Sequence, residues 1–182
     1  MIFLDKPSAR THFSSLRSSI PEEQRLIKSK KICQKILNTE FFLKCDTLLL
    51  YFPIKAEPSL LPLLDKAFSL GKSIAFPISV KENYTLDFRV IQSLEDLTVG
   101  AYGICEPNKN APTAKITDKT LCIVPALSFD EKGMRLGYGK GFYDRFLKDF
   151  SGYSIGITYS ELFCKSLPFD KNDIPVDKVI TD

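Results

Sequence analysis

Apolar positions along the 182-residue chain switch repeatedly between helical and strand-like spacing, and that alternation sets the first expectation for its fold. Residues 22–37, EEQRLIKSKKICQKIL, put Leu26, Ile27, Ile32, Cys33, Ile36 and Leu37 on one helical stripe, with Pro21 ahead of it and glutamates in the first turn. DTLLLYFP (46–53) is a short continuous apolar run closed by proline, the pattern of a strand buried on both faces. EPSLLPLLDKAFSLG (57–71) then reads as a helix ending at Gly71, and KSIAFP (72–77) as a second strand stopped by Pro77. Strand, helix, strand in that order predicts a right-handed crossover and a parallel sheet.

Further along, YTLDFRVI (84–91) alternates apolar and polar residues and predicts a half-exposed strand, antiparallel at an edge. Residues 99–115, VGAYGICEPNKNAPTAK, lack any period and predict a long surface loop. TLCIVP is a further buried strand, GFYDRFLKDF a short helix and YSIGITY the last clear strand. No internal repeat, low-complexity tract or linker interrupts residues 1–182, so the expectation is a single domain. Its class is α/β, an open three-layer sandwich with a mostly parallel central sheet, Rossmann-like in plan.

Composition narrows the partners. Hydrophobic residues at 44% and charged residues at 26% are ordinary for a globular protein with a real core. A formal charge of +3 gives no chain-wide basic coat for nucleic acid, so any anion site is local. No apolar stretch approaches the ~20 residues of a membrane span, and MIFLDKPSAR lacks the apolar core of a signal peptide, which makes cytoplasmic the expected location. A monomer is the expected state. Five scattered cysteines without a CxxC pair argue against a disulfide framework or a zinc knuckle. Cys33 and Cys122, inside apolar runs, read as small buried hydrophobes, and the lone His12 has no sequence-near acid to work with.

Chemistry concentrates in RLGYGKGFYDRF (135–146), placed between the strand LCIVP and the helix that begins near Gly141. In an open α/β sheet, ligands gather beyond the carboxyl ends of the parallel strands, where this loop falls. Gly137, Gly139 and Gly141 leave successive backbone N–H groups free to turn toward one anion. Arg135, Lys140 and Arg145 add full charges, and arginine grips phosphate oxygens in pairs. The spacing is not that of a Walker A loop, because Lys140 is followed by Gly141 with no serine or threonine placed for magnesium. It is not the dinucleotide fingerprint either, since the third glycine comes one residue early.

The stretch VPALSFDEKGMRLGYGKGFYDRFL resembles the motif of the 5-formyltetrahydrofolate cyclo-ligases, also called 5,10-methenyltetrahydrofolate synthetases, over about two dozen consecutive residues. The likeness continues in YFPIKAEPSLLPLL, YGICEP and NDIPVDKVIT, and so covers nearly the whole chain. It implies an ATP- and Mg2+-dependent enzyme that closes 5-formyltetrahydrofolate to 5,10-methenyltetrahydrofolate, with release of ADP and phosphate. A phosphoryl transfer of that kind is positioning and charge neutralisation, which bare N–H groups, lysine and arginine supply.

Carried onto this chain, the resemblance implies that Arg135, Leu136, Gly137, Tyr138, Gly139, Lys140, Gly141, Phe142 and Tyr143 bind ATP, with Lys140 and Arg135 acting on the transferred phosphoryl group. Lys6 and Arg10 resemble an N-terminal Lys-x3-Arg that reaches the nucleotide phosphates, provided LDKPSARTHF is helical despite Pro7. Asp144 and Asp173 would hold magnesium. Phe52 and Glu57 would meet the folate, the carboxylate accepting from the amino-pyrimidine edge of the pterin, while Tyr138, Phe142 and Tyr102 wall it in. Two positions depart from the family: Phe142 stands where many members carry tyrosine, and Tyr102 where some carry tryptophan. Lys55, Lys81 and Arg89 are unranked candidates for a polyglutamate tail. The same loop would also suit a folate- or nucleotide-binding relative without turnover, or an ATP-dependent ligase or kinase on another small molecule.

Overall fold

A computed structural model describes residues 5–100 and 103–182. Helix α1, Lys6–Ser19, starts on Asp5, whose carboxylate accepts from the Ser8 N–H at 2.8 Å. Pro7 lies in the first turn, where a missing N–H costs nothing, so Lys6 and Arg10 do share a helical face. Helix α2, Glu22–Leu37, follows as predicted, but its buried stripe is Ser29, Ile32, Cys33 and Ile36. Leu26 and Ile27 are 54% and 51% exposed. They lie on the flank of the stripe; its forward half is built from Lys28, paired with Glu161 and Asp182, and Ser29, which accepts from the Ser59 N–H.

A short helix α3, Glu40–Lys44, leads into strand β1, Thr47–Leu49. Helix α4, Leu61–Ser69, begins four residues later than the apolar pattern predicts, because Lys55 and Ala56 turn left-handed at φ 45° and 63° ahead of it. That turn carries Glu57. Strands β2, Ser73–Val80, and β3, Thr85–Ile91, form an antiparallel pair, with β3 at the sheet edge as its alternation predicts. Pro77 does not stop β2: pairing with β1 ends at Ala75, and Pro77 faces only Phe88 of β3, so no ladder bond to β1 is lost.

The described part of 99–115, residues 99–100 and 103–115, holds more regular structure than its composition predicts. Strands β4, Leu97–Val99, and β5, Cys105–Pro107, pair antiparallel, and Thr113 bridges Arg89 while Ala114 donates to the Phe88 carbonyl. Strand β6, Thr120–Pro125, is followed by β7, Ser128–Asp130, and β8, Arg135–Leu136, and helix α5 spans Phe142–Lys148. Strands β9, Tyr153–Ile157, β10, Phe163–Cys164, and β11, Lys178–Ile180, follow; β4, β5, β7, β8, β10 and β11 are not predicted by the apolar pattern, each being only two or three residues long.

The central sheet runs β11-β9-β6-β1-β2-β3, all parallel except β3. Ala9 and Phe13 of α1, the stripe of α2, Phe42 of α3 and Leu63 of α4 bury one face of the sheet against Leu48, Ile74, Ile123 and Ile155. The other face packs Leu49, Ala75, Cys122 and Val124 against Phe129 and Leu147 of α5. Two apolar layers on either side of one sheet make the expected three-layer sandwich. Among the described residues no helix is long and apolar enough to cross a membrane.

The two halves of α2 give a test of this packing. Ile36→Ala, at a position with no exposure, should cost about 2–5 kcal/mol in urea denaturation. Leu26→Ala, half exposed, should stay within about 0.5 kcal/mol of wild type.

Candidate active site

The chain runs from β1 to β2 on one side and returns to β6 on the other, so β1 and β6 are parallel neighbours whose following loops diverge. A cleft of about 1080 Å³ opens there, with Tyr51 and Phe52 beyond β1 and Pro125 and Ala126 at the end of β6. This is where an open α/β sheet holds its ligand. Its lining joins apolar and aromatic side chains, Phe52, Ile54, Pro77, Leu86 and Phe142, to the cations Lys6, Arg10, Arg135, Lys140 and Arg145.

Between β8 and α5 the backbone makes the glycine cradle. Gly139 and Gly141 take φ of 95° and 71°, which side chains adopt only under strain, and Gly141 caps α5. At Gly137 a Cβ would lie 2.5 Å from the Arg135 guanidinium, so a side chain there would displace that group from its place beside Asp144. Leu136 differs from its neighbours: its side chain is in the core, and β8 anchors the loop by accepting from the Leu127 N–H. Arg10 Nε donates to the Gly137 carbonyl at 2.9 Å, tying α1 to the cradle. Lys140 Nζ and the Arg145 guanidinium both lie 5.6 Å from the Tyr84 ring, itself held edge-on to Phe142.

Cations and carboxylates meet in pairs. Arg135 Nη2 donates to Asp144 at 2.8 Å, and its guanidinium covers the Tyr143 ring at 5.4 Å. Lys6 Nζ bridges Asp170 at 2.6 Å and Asp173 at 2.5 Å. Burial alone would lower the Lys6 ammonium, but its two carboxylate partners outweigh that and raise it above the usual lysine value. Asp144 Oδ1 lies 3.5 Å from the Ile174 N–H, so the Asp144 and Asp173 carboxylates come from adjoining segments. Among the described residues no three His, Cys, Asp or Glu side chains gather closely enough to hold a metal by themselves. Two hard carboxylates beside an anion cradle suit a Mg2+ ion, which takes few protein ligands and completes its shell with phosphate and water.

At the apolar end, Glu57 is 7% exposed. Its Oε2 accepts from the Ile54 N–H at 3.0 Å, Tyr138 hydrogen-bonds it, and Arg17 Nη1 lies 3.8 Å from Oε1. Burial dominates and pushes the carboxyl up to about 7, against the Ile54 N–H, Arg17, Tyr138 and Lys55, which favour the charged form. Lys55 Nζ sits 5.0 Å over the Tyr138 ring.

Every site residue named from the sequence lines this one cleft except Tyr102, which lies outside the described residues. Of the three tail candidates, Lys55 lines the cleft, whereas Arg89 is committed to Asp87 and to the Ala111 carbonyl. Sequence reasoning missed Arg17, Asp170 and Tyr84. The signal for Arg17 was available, since it falls four residues after Phe13 and three before Ile20 on the buried stripe of α1.

A doubly covered parallel sheet, a glycine-and-cation cradle and an adjoining pocket with a buried acid make an α/β protein whose cleft suits a polyanion beside a second, partly apolar molecule. The comparisons with known proteins make that class specific. Residues 4–182 match the model of the 5-formyltetrahydrofolate cyclo-ligase family, and the chain belongs to that family. A probable 5-formyltetrahydrofolate cyclo-ligase of Schizosaccharomyces pombe is 30% identical over 172 residues, covering 85% of this chain and 83% of its own length. The structure of Aquifex aeolicus 5,10-methenyltetrahydrofolate synthetase superposes with a TM-score of 0.84 at 35% identity, over 96% of this chain and 88% of that one. The Mycoplasma pneumoniae 5,10-methenyltetrahydrofolate synthetase shares the fold, with a TM-score of 0.79 at 22% identity, over 98% and 99% of the two chains.

Glu57 also has a consequence for stability. Its carboxyl titrates near 4.5 when unfolded and at about 7 when folded, so between these values the folded state binds more protons. Stability contributed by this group therefore falls as pH rises through that window and is level above it. Glu57→Gln removes the slope: the variant should gain stability relative to wild type as pH rises from 4.5 to about 7, read by urea denaturation across that range.

Proposed function

We propose that this protein closes 5-formyltetrahydrofolate to 5,10-methenyltetrahydrofolate at the expense of ATP, releasing ADP and phosphate. The observation that carries this reading is one continuous cleft lined both by the cradle of Gly137, Gly139, Gly141, Arg135 and Lys140 and by the buried Glu57. In the chemistry we infer, the formyl oxygen takes the terminal phosphoryl group as ADP leaves, N10 of the folate then bonds to the formyl carbon and gives up its proton, and phosphate departs with the oxygen. No side-chain nucleophile is needed, and neither a Ser/His/Asp nor a Cys/His set is used.

In this reading the loop N–H groups, Lys140 and Arg135 neutralise charge on the transferred group, and Lys6 and Arg10 approach the phosphates from α1. Asp144 and Asp173 are the carboxylates suited to Mg2+, which would screen the phosphate charge when bound. Ionised Glu57 accepts two N–H donors from the pterin edge, and Phe52, Tyr138 and Phe142 supply its apolar walls. Leu136 contributes backbone alone, since its side chain is in the core.

The test follows methenyl-folate absorbance when the protein meets 5-formyltetrahydrofolate, Mg2+ and ATP, with a control lacking ATP. A rise that requires ATP, and that slows at least about a hundredfold in Lys140→Ala, is the expected outcome. A flat trace from folded protein that binds ATP would overturn the reading.

A further inference from the structure

Arg17 is 2% exposed and belongs to no cation group that reaches the phosphate cradle. Its donors are spent inside the protein: Nη1 donates to the Ala126 carbonyl at 3.2 Å, and Nη2 donates to the Tyr138 hydroxyl. With Nη1 also 3.8 Å from Glu57 Oε1, one cation touches the segment after β6, the glycine loop and the turn after β1. These three segments surround the apolar end of the cleft. Stability alone is a poor reason to bury such a group, because apolar replacements of buried ion pairs are often neutral or stabilising.

We infer that Arg17 is a positioning residue for folate recognition, holding the Tyr138 hydroxyl and the Glu57 carboxylate in the arrangement that receives the pterin edge. The inference rests on the reading of Glu57 given above. The Tyr138 hydroxyl accepts from Arg17 and shares a hydrogen bond with Glu57, so the guanidinium orients the phenol and, through it, the carboxylate. Glu57 is otherwise faced by the Ile54 N–H and Lys55 from its own turn, and at longer range by Tyr51 of the segment after β1 and Tyr143 of α5. Of the charges among these groups, Arg17 favours the ionised acid most. Lysine would supply a charge but not the planar fork that reaches both Tyr138 and Ala126.

The experiment is calorimetric titration of 5-formyltetrahydrofolate into wild type, Arg17→Gln, Arg17→Lys and Glu57→Gln, without ATP, at a series of pH values around 7. Wild-type affinity should fall as pH drops below about 7, where Glu57 becomes protonated, and that fall should be missing in Glu57→Gln. In Arg17→Gln the fall should begin at least about one pH unit higher, leaving folate binding at least about fivefold weaker at pH 7. ATP affinity, titrated separately, should stay within about twofold of wild type, because Arg17 touches none of the cradle's cations. Arg17→Lys should keep the fall where wild type has it while binding folate more weakly at every pH. A fall that is absent in Glu57→Gln but unmoved in Arg17→Gln overturns this inference alone. So does wild-type affinity in Arg17→Lys, a result that stands even if Arg17→Gln does not fold. A fall that persists in Glu57→Gln overturns the reading of Glu57 and this inference with it.

Discussion

Parallel pairing between β1 and β6 is the constraint from which the site follows. Thr47, Leu48 and Leu49 are in register with Thr120, Leu121 and Cys122, so the two chains emerge side by side at their carboxyl ends. They cannot stay together, because β1 leads toward β2 on one side and β6 leads to β9 on the other. The gap they leave is the apolar half of the cleft. The glycine loop closes the other half because β8, which starts it, is tied back to β7 directly after β6. Helix α1 then fastens the assembly: from one helix, Lys6 and Arg10 line the cleft, and Arg17, buried behind it, holds Ala126 and Tyr138.

Charge in the cleft is prearranged rather than open. Arg135 is already held by Asp144, and Lys6 by Asp170 and Asp173. Free cations crowded in a half-buried cleft would repel one another, and the carboxylates remove that cost. The same pairing means that a polyanion entering the cradle competes with Asp144 and Asp173 for its cations. Under the function proposed here, a divalent ion taken by those carboxylates would release Arg135 and Lys6 to the phosphates, so metal and nucleotide would favour each other's binding.

Much of this was legible in the sequence. The apolar runs at 46–53 and 120–125 are strands because a strand covered on both faces needs no alternation, and the glycine loop announced itself through composition and charge. The failures share one cause, which is that tertiary contacts decided what local pattern left undecided. Pro77 fits within β2 because the neighbouring strand has already ended there. The late start of α4 depends on Lys55 and Ala56 in left-handed conformations that no glycine or asparagine advertises. Residues 112–114 pair with β3 through backbone bonds that leave no trace in side-chain period. Arg17 occupies a core position of α1 that periodicity marks correctly and residue type disguises.

The strained turn and the buried acid belong together. Two consecutive non-glycine residues with positive φ cost of order 1–3 kcal/mol each, and they persist only where the surroundings over-determine them. Here the surroundings are the Ile54 N–H and the Glu57 carboxylate, which close the turn on itself, and Lys55, whose ammonium lies over Tyr138. A solvated glutamate opening α4 would avoid both the strain and the burial. Holding Glu57 back from that helix instead places a desolvated carboxylate in the lining of the cleft. Under the function proposed here, the uncharged pterin edge with its paired N–H donors would gain most from meeting it there, and the stability given up at this turn would be offset by an acceptor that water does not already satisfy.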